Sequence, residues 1–153
     1  LYQTLVRPHL EYCIQAWTPH LVQDIEKLEK VQRRATKMIE ECRGKSYNER
    51  IQMLGLTTLE TRRVRADMLE VYKILKGYEG INGDRFFKIQ VTKTRGHSMK
   101  LYKDRVYRDV LKYSFGNRVI DQWNNLPEKV INATSIDMFK NKLNTFLANT
   151  LGE

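Results

Sequence analysis

Residues 46–77 read SYNERIQMLGLTTLETRRVRADMLEVYKILKG, and this stretch decides the fold. Ser46 and Glu49 have the S-x-x-E spacing of a capping box, which opens a short helix ended after Leu54 by Gly55. Thr57 and Glu60 repeat that spacing at the start of a longer helix. Its apolar face carries Val64, Met68, Val71, Tyr72 and Leu75, while Arg62, Arg65, Lys73 and Lys76 fall on the other side. Gly77 closes it. Two caps around one glycine predict a helix–turn–helix connection, which is common in all-α proteins and is not by itself a DNA-reading unit.

Upstream, Leu5, Val6, Leu10, Cys13, Ile14 and Trp17 keep helical spacing over residues 2–17, with a kink or break expected near Arg7 because Pro8 follows it. Asp24 is placed to cap a helix over 24–41. Ile25, Leu28, Val31, Ala35 and Met38 form its expected core stripe, and Lys27, Lys30, Arg34 and Lys37 gather on the opposite face. That basic face fits a solvated surface as well as a polyanion-binding one. Downstream, Gly77, Gly80, Gly83 and Gly96 mark the loosest stretch. Asp84 is expected to cap a turn carrying Phe86 and Phe87, two rings read as core plugs rather than base-stacking platforms. Residues 97–108 alternate weakly, and a basic loop or a short two-stranded element is expected there, before the last two helices. Further helices are expected near 115–125 and, capped by Ser135, near 136–148, with Ile136, Phe139, Leu143, Phe146 and Leu147 inward.

Charge concentrates in one place. The 153-residue chain carries a net +9, and 29% of its residues are charged. Between Arg85 and Arg118 lie ten basic residues against Asp104 and Asp109, a net +8. Tyr102, Tyr107, Tyr113 and Phe115 are interleaved with them. Basic side chains track phosphates and aromatic faces stack on exposed bases. The competing reading is a basic loop folded over a helical core with its tyrosines inward. A sequence pI near 9.6 fits a nucleic-acid partner but does not dictate a fold.

Several kinds of chemistry find no residues. Cys13 and Cys42 form neither a disulfide framework nor a zinc spacing, which suits a reducing intracellular compartment. His9, His20 and His97 are scattered, and no phosphate-cradling glycine motif or nucleophile elbow occurs. The only adjacent carboxylates are Glu40 and Glu41, so no pair suggests two-metal catalysis. No apolar run approaches the roughly 20 residues of a membrane helix. The chain opens without Met or a signal-peptide pattern, in what reads as an ongoing helix, and is taken as part of something longer.

Seven strings occur in order: LYQTLVRPHLEY (1–12), LEKVQRRATK (28–37), LGL (54–56) with LETRR (59–63), YKILKG (72–77), RGHS (95–98), NRV (117–119) with WNNLP (123–127), and FKNKL (139–143). Together they resemble the C-terminal part of reverse transcriptases of LINE-type (non-LTR) retrotransposons, over essentially the whole chain. The resemblance implies a place downstream of the polymerase palm. The family's aromatic-Ala-Asp-Asp motif lies upstream, and this chain has no Asp-Asp. No catalytic residue and no metal ligand therefore carries over, and Mg would bind in the missing palm. Some relatives have a Cys/His zinc knuckle in this region; this chain does not. The matching basic residues Arg33, Arg34, Lys37, Arg62, Arg63, Arg95 and Arg118 become candidates for phosphate contacts.

The expected fold is mainly α: a thumb-like helical region over 1–77, then a basic C-terminal extension over 78–153 whose terminal helices pack on the same core. Helices are also expected over 47–54 and 58–76. Trp17, Leu28, Val31, Met68, Tyr72, Trp123 and Phe139 are the expected core. The leading function is to hold template–primer or template RNA electrostatically as a non-catalytic module of an RNA-directed DNA polymerase. The expected partners are RNA, RNA–DNA hybrid or DNA and the upstream polymerase domains, in the nucleus or cytoplasm, with no membrane, cofactor or small-molecule substrate. The expected contact residues are Lys30, Arg33, Arg34, Lys37, Arg62, Arg63, Lys93, Arg95, Lys100, Lys103, Arg105, Arg108 and Arg118, with Tyr102, Tyr107 and Phe115 stacking. The alternative is a structural or protein-interaction domain derived from such an element, and an independent nuclease is the least favoured class.

Overall fold

The computed structural model describes residues 1–90 and 96–151. The fold is mainly α, with nine α-helices and no strand among the described residues. The chain divides into two compact units, Leu1–Val64 and Arg65–Glu153, and the boundary falls inside a helix.

The first unit opens on a π-helical turn, Tyr2–Val6, followed by α1 (Arg7–Glu11) and α2 (Ile14–Trp17). Near Arg7, where a kink or break is expected, the helix changes from π to α, and a further break follows at Tyr12–Cys13, where Cys13 takes φ +52. Pro8 sits in the first turn of α1, where its missing N–H costs no helical bond. Trp17 is half-exposed rather than core, and its indole N–H donates to the Tyr12 carbonyl at 2.5 Å. Then come α3 (Val22–Lys37), a 3₁₀ turn at Glu40–Cys42, and α4 (Tyr47–Met53). The Ser46 capping box is formed in both directions: the Glu49 N–H donates to Ser46 Oγ at 3.4 Å, and the Ser46 N–H donates to Glu49 Oε2 at 2.6 Å. Those bonds hold the Glu49 carboxyl below its ordinary pKa.

The buried face of α3 is polar. Glu29, Gln32 and Thr36 are buried, whereas Val31 is 38% and Met38 83% exposed. The expected stripe is therefore displaced around the helix, with Ile25, Leu28 and Ala35 only part-buried. Each inward polar group has a partner. Gln32 Nε2 donates to Tyr47 Oη and to the Thr57 carbonyl, both at 2.9 Å, and Gln32 Oε1 accepts from Tyr2 Oη at 2.8 Å. Glu29 accepts from Tyr47 Oη, and its other oxygen accepts the Leu59 N–H at 3.0 Å. Leu59 is the first residue of α5 (Leu59–Leu75), so this carboxylate satisfies a donor at a helix N-terminus. Thr58, not Thr57, takes the neighbouring Thr61 N–H at 3.1 Å. Burial and then the Glu29 charge push the Tyr2 phenol up to about 12, and burial with the hydrogen bond to Glu29 also raises Tyr47.

The second unit has an aromatic core. From α5, Met68, Val71, Tyr72 and Ile74 are buried. Tyr72 stacks on Phe139 of α9 (Ile136–Leu151) with centroids 4.1 Å apart, and its hydroxyl donates to the Ala133 carbonyl at 2.8 Å. Trp123, at 0% exposure, lies 6.2 Å from Phe139 and belongs to α7 (Phe115–Asn124). Two short helices that periodicity did not reveal, α6 (Asp109–Lys112) and α8 (Glu128–Ile131), flank α7 in sequence.

The buried polar face carries a stability consequence. Gln32→Ala should cost about 1–3 kcal/mol, because it strands the Tyr2, Tyr47 and Thr57 groups, whereas Val31→Ala should change stability by about 0.5 kcal/mol or less. Urea denaturation of both variants measures the order; a larger loss from Val31→Ala would restore the apolar stripe as the packing face.

Candidate nucleic-acid interface

The basic segment is held against α7 by its backbone. The Leu101 N–H donates to Asn124 Oδ1 and the Leu101 carbonyl accepts from Asn124 Nδ2, each at 2.8 Å. The amide side chain thus stands where a neighbouring strand would. The indole N–H of Trp123 donates to the Met99 carbonyl at 2.8 Å, and the His97 ring nitrogen Nε2 meets the Trp123 carbonyl at 2.9 Å. Ser98 donates from its N–H and its hydroxyl to Glu128. Partial desolvation opposes the Glu128 charge, yet hydrogen bonds from Asn132 and Ser98 hold its carboxyl below the usual range. Where a basic loop or a short two-stranded element is expected over 97–108, no strand forms among the described residues. A single antiparallel bridge joins Leu101 to Ile89, with the Gln90 and Tyr102 N–H groups donating to the Lys100 and Lys88 carbonyls.

The expected contact residues fall into three groups. On α3, Lys30, Arg33, Arg34 and Lys37 are exposed, and Arg33 also lies 5.0 Å from the Tyr47 ring centre. In the basic segment, Arg105 and Arg108 are exposed and form no ion pair among the described residues. Lys103 is exposed but pairs with Asp121, and Lys100 is part-buried. Among the aromatic candidates, Tyr107 is 88% exposed and Tyr102 is half-exposed.

Three cations of the third group face the protein instead of solvent. Arg63 is 3% exposed. Arg62 binds both oxygens of Glu11, with Nη2 at 3.0 Å from Oε2, and that hydrogen bond raises its pKa. Arg118 binds Asp67 through two parallel bonds at 3.1 and 3.0 Å, with the Asp67 side chain only 6% exposed. Phe115 joins this packed group: Arg118 lies 5.6 Å from its ring, and Phe87 meets it edge-on at 5.9 Å. A double-arginine string and a charge cluster look alike whether the cations face solvent or a carboxylate far along the chain, so sequence did not separate these residues. Lys93 and Arg95 lie outside the described residues.

One feature escaped the sequence reading. Phe87 is buried as a plug, but Phe86 is half-exposed. With Arg85, Lys88 and Tyr102 it lines a small open cleft on the basic segment. The turn before it, Gly83–Arg85, is capped by Asn82 rather than Asp84, with the Asp84 N–H donating to Asn82 Oδ1 at 3.0 Å.

Among the described residues, no group of three or more His, Cys, Asp or Glu side chains is arranged to hold a metal ion. No helix among them is long and apolar enough to cross a membrane. No protein-family model, no curated protein and no solved structure matches this chain.

The Arg118–Asp67 pair sets a test of the inward-facing group. Asp67→Asn should lower stability by about 3 kcal/mol or more, because it leaves a largely buried guanidinium without its counter-charge. Thermal melts measure it, and a change within about 0.5 kcal/mol would mean that Arg118 is in effect solvated.

Proposed function

We propose that this chain is a nucleic-acid-contacting C-terminal module of a LINE-type reverse transcriptase, which holds template–primer or template RNA by charge and carries no catalytic palm. The observation that carries the reading is the net +8 between Arg85 and Arg118. Arg105 and Arg108 remain exposed there without a carboxylate partner among the described residues. The ordered set of seven strings supports it independently.

The mechanism is electrostatic. Lys and Arg side chains that neutralise phosphates release condensed counterions, so affinity falls with salt and carries little sequence preference. Arg105 and Arg108 act from the basic segment, while Lys30, Arg34 and Lys37 form a second exposed basic face on α3. Tyr107 is placed to stack on an unpaired base if a single strand runs past it. Catalysis, and the metal ions it needs, belong to the palm.

A second reading, a structural or protein-interaction domain derived from such an element, is favoured by one observation. The first unit exposes Leu5, Leu21, Val22 and Met38, apolar side chains that a protein partner could cover.

Binding of the whole chain to RNA–DNA hybrid, single-stranded RNA and duplex DNA across a salt series separates the two. The slope of log K against log salt should be steep. It should fall by about 0.7–0.9 for each phosphate contact removed in Arg105→Ala and Arg108→Ala, and stay unchanged in Lys129→Ala. A folded chain that binds none of the three ligands at low salt would overturn the proposal and favour the protein-interaction reading.

A further inference from the structure

Arg50 is a buried cation whose partners carry no charge. It belongs to α4 and is 5% exposed. Its Nε donates to the Thr36 hydroxyl at 3.1 Å and its Nη1 to the Lys45 carbonyl at 2.5 Å. Its guanidinium carbon lies 5.7 Å from the centre of the Tyr47 ring. No ion pair joins Arg50 to a carboxylate among the described residues. Burying a charge is costly unless an opposite charge compensates it. Two carboxylates of α3 and α4 are engaged elsewhere: Glu29 by the Leu59 N–H and the Tyr47 hydroxyl, and Glu49 by the Ser46 N–H.

One nitrogen of this side chain is left for an outside anion. Nη2 makes no hydrogen bond among the described residues and is not sealed from solvent. Because Nε and Nη1 are tied down, Nη2 is held in place, and an anion that meets it orders little more of the side chain. A second guanidinium stands at the same ring. Arg33 of α3 is exposed, lies 5.0 Å from the Tyr47 centre, and its side chain makes no hydrogen bond or ion pair among the described residues. Guanidinium groups match carboxylate and phosphate oxygens. A carboxylate presents two oxygens in one plane. A phosphate presents its oxygens around a centre, which suits two cations that come from different helices.

We propose that Arg50 and Arg33, on either hand of the Tyr47 ring edge or face, form a binding site for one phosphate group on the first unit. Arg50 Nη2 is its fixed donor, and Arg33 adds a second positive charge. A phosphodiester of a nucleic-acid strand and a free phosphate share this chemistry. The site stands on the first unit alone, independent of the basic segment from which the nucleic-acid reading is drawn.

The test is an NMR titration of the arginine Nε–Hε resonances of the whole, unaltered chain at constant ionic strength, with chloride as the balancing anion. Inorganic phosphate should shift the Arg50 resonance with saturation, and acetate should shift it less. A matching shift with dimethyl phosphate would mark a site that takes the diester of a strand. A response to inorganic phosphate alone would mark one for a free phosphate. Arg33→Gln, at an exposed position, should weaken phosphate by about threefold, the effect of losing one partly solvated charge. Arg50→Lys, in a chain whose thermal melt shows it folded, should abolish saturable binding. No phosphate-specific shift of Arg50, or one that Arg105 and Arg108 share equally, would overturn the site and leave the charge-based reading of the basic segment standing. Equal shifts with acetate and phosphate would also overturn it. Absence of nucleic-acid binding beside a saturable Arg50 response would overturn that reading and keep the site.

Discussion

Trp123 and Asn124, adjacent at the end of α7, do two unlike things, and the placement of the basic segment depends on both. The indole body is fully buried near Phe139, while its N–H reaches out to the Met99 carbonyl. Asn124 answers both backbone groups of Leu101. A segment so rich in like charge gains little from pairing with itself, since neighbouring cations repel. Its backbone polar groups still need partners where Leu101 is buried. The asparagine amide supplies one donor and one acceptor at the spacing of a strand neighbour. The chain from 97 to 103 is thereby fixed to a rigid helix without a sheet, and the cations that follow it project from a defined base.

The first unit rests on a different constraint. Glu29 is a buried carboxylate that takes the first N–H of α5 and the hydroxyl of Tyr47. Removing a charge from water is expensive unless such partners compensate it. Here they come from a helix N-terminus, whose dipole favours a negative group. Once Glu29 and Gln32 turn inward, the helical repeat carries Val31 and Met38 outward. The exposure of Val31 and Met38 follows from this buried polar network.

These two arrangements explain what was legible in the sequence. Some local signals were read correctly, whereas the caps expected at Asp24, Thr57 and Asp84 fall instead at Leu21, Thr58 and Asn82. The Ser46–Glu49 box, Gly55 and Gly77 bound their helices, and the periodicity of 136–148 marks α9. Met68, Tyr72, Trp123 and Phe139 are buried as expected, but Trp17 and Val31 are not. Periodicity weighs apolar residues and cannot see that Glu29 and Gln32 have partners 18–30 and 15–30 residues away. The same blindness hid Asn124, whose partner lies 23 residues off, and placed Arg62, Arg63 and Arg118 among surface cations. Of the contact residues named from sequence, those on the outer face of α3 and in 105–108 are exposed as expected, and their role is the proposed one.

Placed charge and merely abundant charge make different demands on Asn124, and single-stranded RNA binding by Asn124→Ala separates them. The substitution alters no charge but removes both hydrogen bonds that hold Leu101. With the segment freed, as hydrogen exchange over 98–108 would show, affinity at fixed salt should fall several-fold with a shallower salt slope. Full affinity in a chain whose 98–108 segment has been released would contradict the idea that α7 positions these cations, leaving only their number to matter.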